Sequence, residues 1–195
     1  VFICLSEIKE AMTLDLQNNG LVKPVLEALQ SKVSSMKVEN LTRLGFALYK
    51  TKILSREFGS LILNELFKKR YAYEKLSSTR FAEFFEMIFR VLETPSEAEV
   101  KEVVEQLPKY LNKMSPDNIV CMWEIVMEKG LISSPREYLF ERHFYMIFWK
   151  QAAIFSIKNI ANILKHLKAL DIDGYDPEFY QVNFLPAIEK SLPKC

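Results

Sequence analysis

Lys68, Lys69, Arg70 and Lys75 stand in one short segment, interleaved with Tyr71 and Tyr73. Ammonium and guanidinium groups neutralise phosphates, and tyrosine rings offer a platform for unpaired bases. This segment is therefore a candidate RNA contact, carried by Lys68, Lys69, Arg70, Tyr71 and Lys75. The same cations have a second explanation, because they fall at the end of a helical pattern, where the helix dipole favours positive charge.

Aromatic residues are the other concentration of chemical interest. The chain of 195 residues holds 14 Phe, 8 Tyr and 2 Trp. They gather at Phe81-Phe84-Phe85-Phe89 and again at Phe140-Phe144-Tyr145-Phe148-Trp149. Core filling is one reading. The other is a protein-docking face made of Phe144, Tyr145, Phe148 and Trp149, since aromatic rings dominate interface hot spots.

Catalytic chemistry has little to draw on. His143 and His166 have no second histidine, cysteine or carboxylate at a metal-ligand spacing. Cys4, Cys121 and Cys195 are odd in number and equally unspaced, which suits thiols in a reducing compartment. Glu83, Glu86, Glu124 and Glu128 fit the solvated faces of helices. No nucleophile elbow, phosphate-binding glycine loop or zinc-protease signature occurs, and the chain has only five glycines. The expectation is a protein that is not an enzyme and carries no cofactor or metal. A net charge of +1 argues against strong nonspecific binding to nucleic acid but leaves room for a local basic stripe.

The elements that would position these residues follow from hydrophobic spacing. Five apolar stripes occupy i, i+3, i+4 and i+7, one face of an α-helix. They are Val1-Cys4-Leu5-Ile8, Leu41-Leu44-Gly45-Leu48, Phe81-Phe84-Phe85-Ile88, Ile119-Met122-Trp123-Val126 and Ile160-Ile163-Leu164-Leu167. Ser77, Ser115 and Ser156 precede the last three as N-caps, and Pro116 follows Ser115 at a first helical position. Lys37 holds the corresponding place before the second stripe, with Ser35 as an alternative cap. Between the stripes lie second helices. They start near Asn19-Gly20, at Ser55, at the capping boxes Ser96–Glu99 and Ser134–Glu137, and at Asp176-Pro177. Their apolar faces are Val22-Val25-Leu26-Leu29, Phe58-Leu61-Ile62, Val100-Val103-Val104-Leu107, Phe140-Phe144-Ile147 and Phe179-Val182. Pro108 and Pro186 fall within these second helices and predict a kink or an early end.

The expectation is all-α: an α-solenoid of about five helix-turn-helix hairpins with a period near 40 residues, forming a single domain over 1–195. The units start near 1, 37, 77, 115 and 156. The most apolar run, Phe144 to Phe155, is too short to span a bilayer, which takes about 20 residues. The chain opens on Val1 without Met and has no polar cap at either end. The first feature predicts a processed chain or a piece of something longer, and the second predicts an array that continues or ends that dock on something else.

Glu39-Asn40-Leu41, Asp117-Asn118-Ile119 and Lys158-Asn159-Ile160 each place Asn just before the first core position of a hairpin. The last unit reads Asn159-Ile160-Ala161-Asn162-Ile163-Leu164-Lys165-His166-Leu167, then Leu170 and Asp176-Pro177-Glu178-Phe179. This resembles the mitochondrial heptatricopeptide-type repeats of the FAST-kinase-domain and RAP-domain proteins over about four of the five units. Pentatricopeptide, octotricopeptide, HEAT and armadillo repeats share the same hairpin physics. The resemblance implies a subunit or adaptor of an organellar RNA–protein assembly, such as the mitoribosome, in the mitochondrial matrix. It would bind protein subunits, with RNA as a further candidate partner, without spanning a membrane. The C-terminal RAP domain of that family is not visible. The rival reading is a protein-binding accessory or structural subunit of a large membrane-associated complex, with a cytoplasmic location as the alternative. An enzyme with a site between helices is the third.

Overall fold

A computed structural model describes residues 22–69, 75–91 and 96–191. The first stripe, the start near Asn19-Gly20, the segment holding Arg70, Tyr71 and Tyr73, and Cys4 and Cys195 lie outside these residues. Among the described residues the regular elements are helical and no strand occurs, so the chain is all-α. It divides into two compact units, Val1–Gln106 and Leu107–Cys195, with the division inside one helix.

In the first unit, α1 (Val22–Gln30) is followed by a 3-10 turn (Val33–Ser35), α2 (Val38–Lys50), α3 (Arg56–Lys68), α4 (Ser78–Val91) and the start of α5 (Glu97–Leu111). The second stripe lies on α2 and the third on α4, and these two helices pack along each other. Leu41, Leu48, Phe81, Phe84, Phe85 and Ile88 are buried there. Gly45 permits the close approach, because a Cβ at this position would overlap Met87 Sδ. Lys50 Nζ reaches Glu86 Oε1 at 3.0 Å, tying the end of α2 to α4.

The second unit contains α6 (Pro116–Glu128) and a π-helical turn (Phe140–Phe144) running into α7 (Tyr145–Gln151). Next come α8 (Ile157–Leu167), the short α9 (Ile172–Tyr175) and a second π-helical turn (Tyr180–Phe184) running into α10 (Leu185–Ser191). α6 packs along α8 and α10 also rests on α8. The fully buried Trp123 sits at the centre of this unit, among Phe140, Phe144 and Phe148 at 5.2–5.7 Å. Its indole N–H donates to the Ile163 carbonyl at 3.3 Å, joining α6 to α8. Asn159 Nδ2 donates to Asp117 Oδ1 at 2.9 Å at the starts of the same two helices.

The expected caps form. Ser55, Ser77, Ser115 and Ser156 each accept a backbone N–H three residues on, at 3.2–3.4 Å. Ser96 and Glu99 complete a reciprocal capping box. Lys37 provides no side-chain cap, and Ser35 Oγ bonds the Lys32 carbonyl instead. The Ser134 box forms only by half. Glu137 accepts from the Ser133 and Ser134 N–H groups, while Ser134 Oγ accepts from Arg136 N. Residues 135–137 are therefore a turn, and the helix begins at Tyr138.

Neither π turn has a counterpart in the spacing of the apolar residues. Each adds a residue to one helical turn and shifts the inward face by one position. In the last hairpin this turns Val182 outward and brings Asn183 and Phe184 in. Pro186 is the second residue of α10, separated from that turn by Leu185. α5 ends within one turn of Pro108, at Leu111.

Candidate functional site

The basic segment sits where α3 ends and α4 begins. Lys69 is the C-cap of α3, and its ammonium reaches back to the Ser34 and Met36 carbonyls at 2.8 and 2.6 Å. Those carbonyls close the 3-10 turn that leads into α2, so Lys69 fixes the approach to that helix. Beside it lies a cleft of about 610 Å³ lined by Lys37, Lys69, Lys75, Ser35, Ser77 and Glu39, among others. Three lysines and one glutamate are among its lining residues. Because Lys37 gives α2 no side-chain cap, the first-turn N–H groups of α2 lack the acceptor that the serines give other helices, and Val38 and Glu39 also line the cleft. Free helix N–H groups together with lysines attract anions.

Of the five residues singled out for RNA, the structure brings Lys69 and Lys75 together at this cleft. Lys68 does not line it, and its ammonium pairs with Glu65 at 2.6 Å on its own helix. Arg70 and Tyr71 lie outside the described residues. Lys37 is the member the sequence reading did not include. It stands far from Lys69 in the chain, and its one sequence signal was a lysine where a capping serine was expected.

The aromatic cluster behaves differently from a surface patch. Phe144 and Phe148 are fully buried against Trp123. Tyr145 stacks on Phe179 at 4.9 Å, and its hydroxyl donates to Asp176 Oδ2 at 2.6 Å. Burial and that carboxylate hold the phenol above its ordinary pKa. Trp149 is the exposed member, at 37%, and lies 6.0 Å from the Phe179 ring. Most of the cluster thus joins one hairpin to the next, with Trp149 at its edge.

A second concavity, about 420 Å³ in volume, opens between α8 and α10. Leu164, Tyr180, Phe184, Leu185 and Ile188 line it, with Lys168 and Asp173. Burial and Asp173 push the Tyr180 phenol up to about 12.

The histidines lie apart from both concavities. His143 meets the Tyr138 ring edge-on at 5.3 Å, and its Nε2 is buried with no hydrogen-bond partner. His166 stands edge-on to Trp123 at 6.4 Å. Burial lowers the pKa of both, with Lys165 adding to the effect at His166. Among the described residues no group of three or more His, Cys, Asp or Glu is placed to hold a metal ion, and no helix is long and apolar enough to cross a membrane. In comparisons with known proteins, no family model matches the chain and no curated protein matches it.

Proposed function

We propose that the protein is a non-enzymatic α-solenoid of stacked hairpins, a subunit or adaptor of an organellar RNA–protein assembly that grips an RNA backbone at the lysine cleft. The observation that carries this reading is the convergence of Lys37, Lys69 and Lys75, from separate segments, around the uncapped start of α2. The repeat is supported by the two π turns, Phe140–Phe144 and Tyr180–Phe184, which recur at the same place in successive hairpins. It is further supported by the Trp123–Ile163 and Asn159–Asp117 bonds between successive first helices. The mitochondrial setting and the mitoribosome as the assembly rest on the resemblance of the Asn159–Leu167 segment and its counterparts.

The test is a salt titration. Three phosphates neutralised on single-stranded RNA give a slope of log affinity against log salt of about −2. Charge reversal of both Lys37 and Lys75 should lower affinity at least about tenfold at low salt and flatten that slope. Salt-independent binding, or a double variant that binds like the parent, defeats the RNA reading. Mass spectrometry and RNA sequencing of the native assembly supply the partners' identities.

The second reading is a purely protein-binding scaffold in a membrane-associated complex. The near-neutral charge and the exposure of Val182 and Leu185 favour it. Under that reading RNA binds no better than to a neutral control protein, and purification recovers proteins alone.

A further inference from the structure

We infer that the groove between α8 and α10 is a docking site for a partner protein's amphipathic helical hairpin, one bearing the i, i+3, i+4, i+7 apolar stripe found in this chain. This deepens the repeat reading and owes nothing to the lysine cleft.

The two π turns provide a ruler between successive hairpins. Aligning Phe140–Phe144 with Tyr180–Phe184 places Tyr180 on Phe140, Phe184 on Phe144, Leu185 on Tyr145 and Ile188 on Phe148. In the earlier hairpin this face is covered. Tyr145 stacks on Phe179 and bonds Asp176, and Phe148 meets Phe155 and Phe184 at 6.0 and 6.3 Å. The cover is the following hairpin itself, built on α8 and α10. In the last hairpin the equivalent positions line an open groove, and Leu185 is 50% exposed. The groove is thus the uncovered copy of an interface whose covered form lies within the same unit.

The covered form also defines the occupant. It presents an aliphatic first-helix stripe, Ile160, Ile163 and Leu167, and a ring at the start of its second helix, Phe179. In the groove, Leu185 and Ile188 replace the larger rings of Tyr145 and Phe148. The partner must therefore supply bulk, and an aromatic residue from its second helix suits the roughly 420 Å³ left open. Lys168 and Asp173 line the same groove and would favour a carboxylate and a cation, respectively, on that hairpin.

The probe is a labelled synthetic peptide of residues 156–191, the hairpin that covers the preceding layer, titrated into the full chain by fluorescence anisotropy. Saturable binding in the micromolar range is expected, weakened at least about tenfold by Leu185→Glu in the full chain. Because Leu185 is half exposed, that variant should keep the parent's circular dichroism and melting curve, which verifies that the acceptor is folded. Absence of binding at several hundred micromolar overturns the proposal. Binding that ignores Leu185→Glu overturns the site and leaves the repeat reading standing. A scrambled amphipathic helix that binds as well as the hairpin sinks the repeat reading itself. Self-association of the chain, abolished by Leu185→Glu, assigns the face to a second copy and displaces the partner.

Discussion

Trp123 shows how much a single side chain settles here. Its ring fills the space between α6, the Phe140–Phe144 turn and α7, and its N–H spans to α8. A buried indole N–H without an acceptor would cost free energy, so the Ile163 carbonyl fixes where α8 lies. His143 is the contrary case, since its Nε2 is buried without a partner. Burial depresses its pKa below the usual 6.5. The unfolded chain therefore takes up a proton before the folded one does, and stability is lost as pH falls from about 6.5 through the folded pKa. Unfolding midpoints measured from pH 7.5 down to 5 should decline, and His143→Leu should lessen the decline. A slope unchanged by that variant would show that His143 contributes nothing to it. His166, shifted in the same direction, leaves a remainder.

Helices in this chain are set by local chemistry at their ends and by neighbours along their length. Ser156 accepts from Asn159 N at 3.2 Å, and Asn159 in turn bonds Asp117. Removing the cap with Ser156→Ala should cost about 1 kcal/mol, seen as a lower denaturation midpoint with an unchanged denaturant slope. Loss of less than about 0.3 kcal/mol would mean that the Asn159–Asp117 bond holds the start of α8 alone. The two π turns are the least local of the elements. Neither Phe140-Glu141-Arg142-His143-Phe144 nor Tyr180-Gln181-Val182-Asn183-Phe184 differs in pattern from an ordinary helical stretch. Only the second is followed by a proline, so a missing donor does not explain both. What they share is placement against aromatic packing: Phe144 and Phe184 both point inward, and both are buried.

At the scale of the molecule, contacts are arranged by neighbourhood. Among the described residues, side-chain hydrogen bonds between successive helical segments span from 31 to 42 positions. No strand pairing asks for longer loop closure among the described residues. Such a topology folds quickly, and the main refolding phase in stopped-flow fluorescence of Trp123 and Trp149 should lie on the order of milliseconds. A main phase of seconds would mean that distant segments must meet before either unit is stable. The near-neutral charge has a consequence at this scale as well. Under the RNA reading, attraction would have to come from a local basic surface such as the lysine cleft and not from the whole charge.

The spacing of apolar residues and the serines before them were enough to determine that the chain is helical and where most helices begin. Both effects act within a few residues, through side-chain periodicity and through hydrogen bonds to the first turn. The late start at Tyr138 escaped because Glu137 caps a turn rather than a helix. Which aromatics are interior, which lysines share a cleft and which face is left uncovered were decided by tertiary structure alone. Phe144 and Trp149 belong to one aromatic run, yet packing on Trp123 buries the first and leaves the second at the edge. Lys37 meets Lys69 and Lys75 only because α3 folds back along α2. Local periodicity fixes what each helix can bury, whereas the choice among apolar neighbours is made by shape, and shape exists only once the helices are packed.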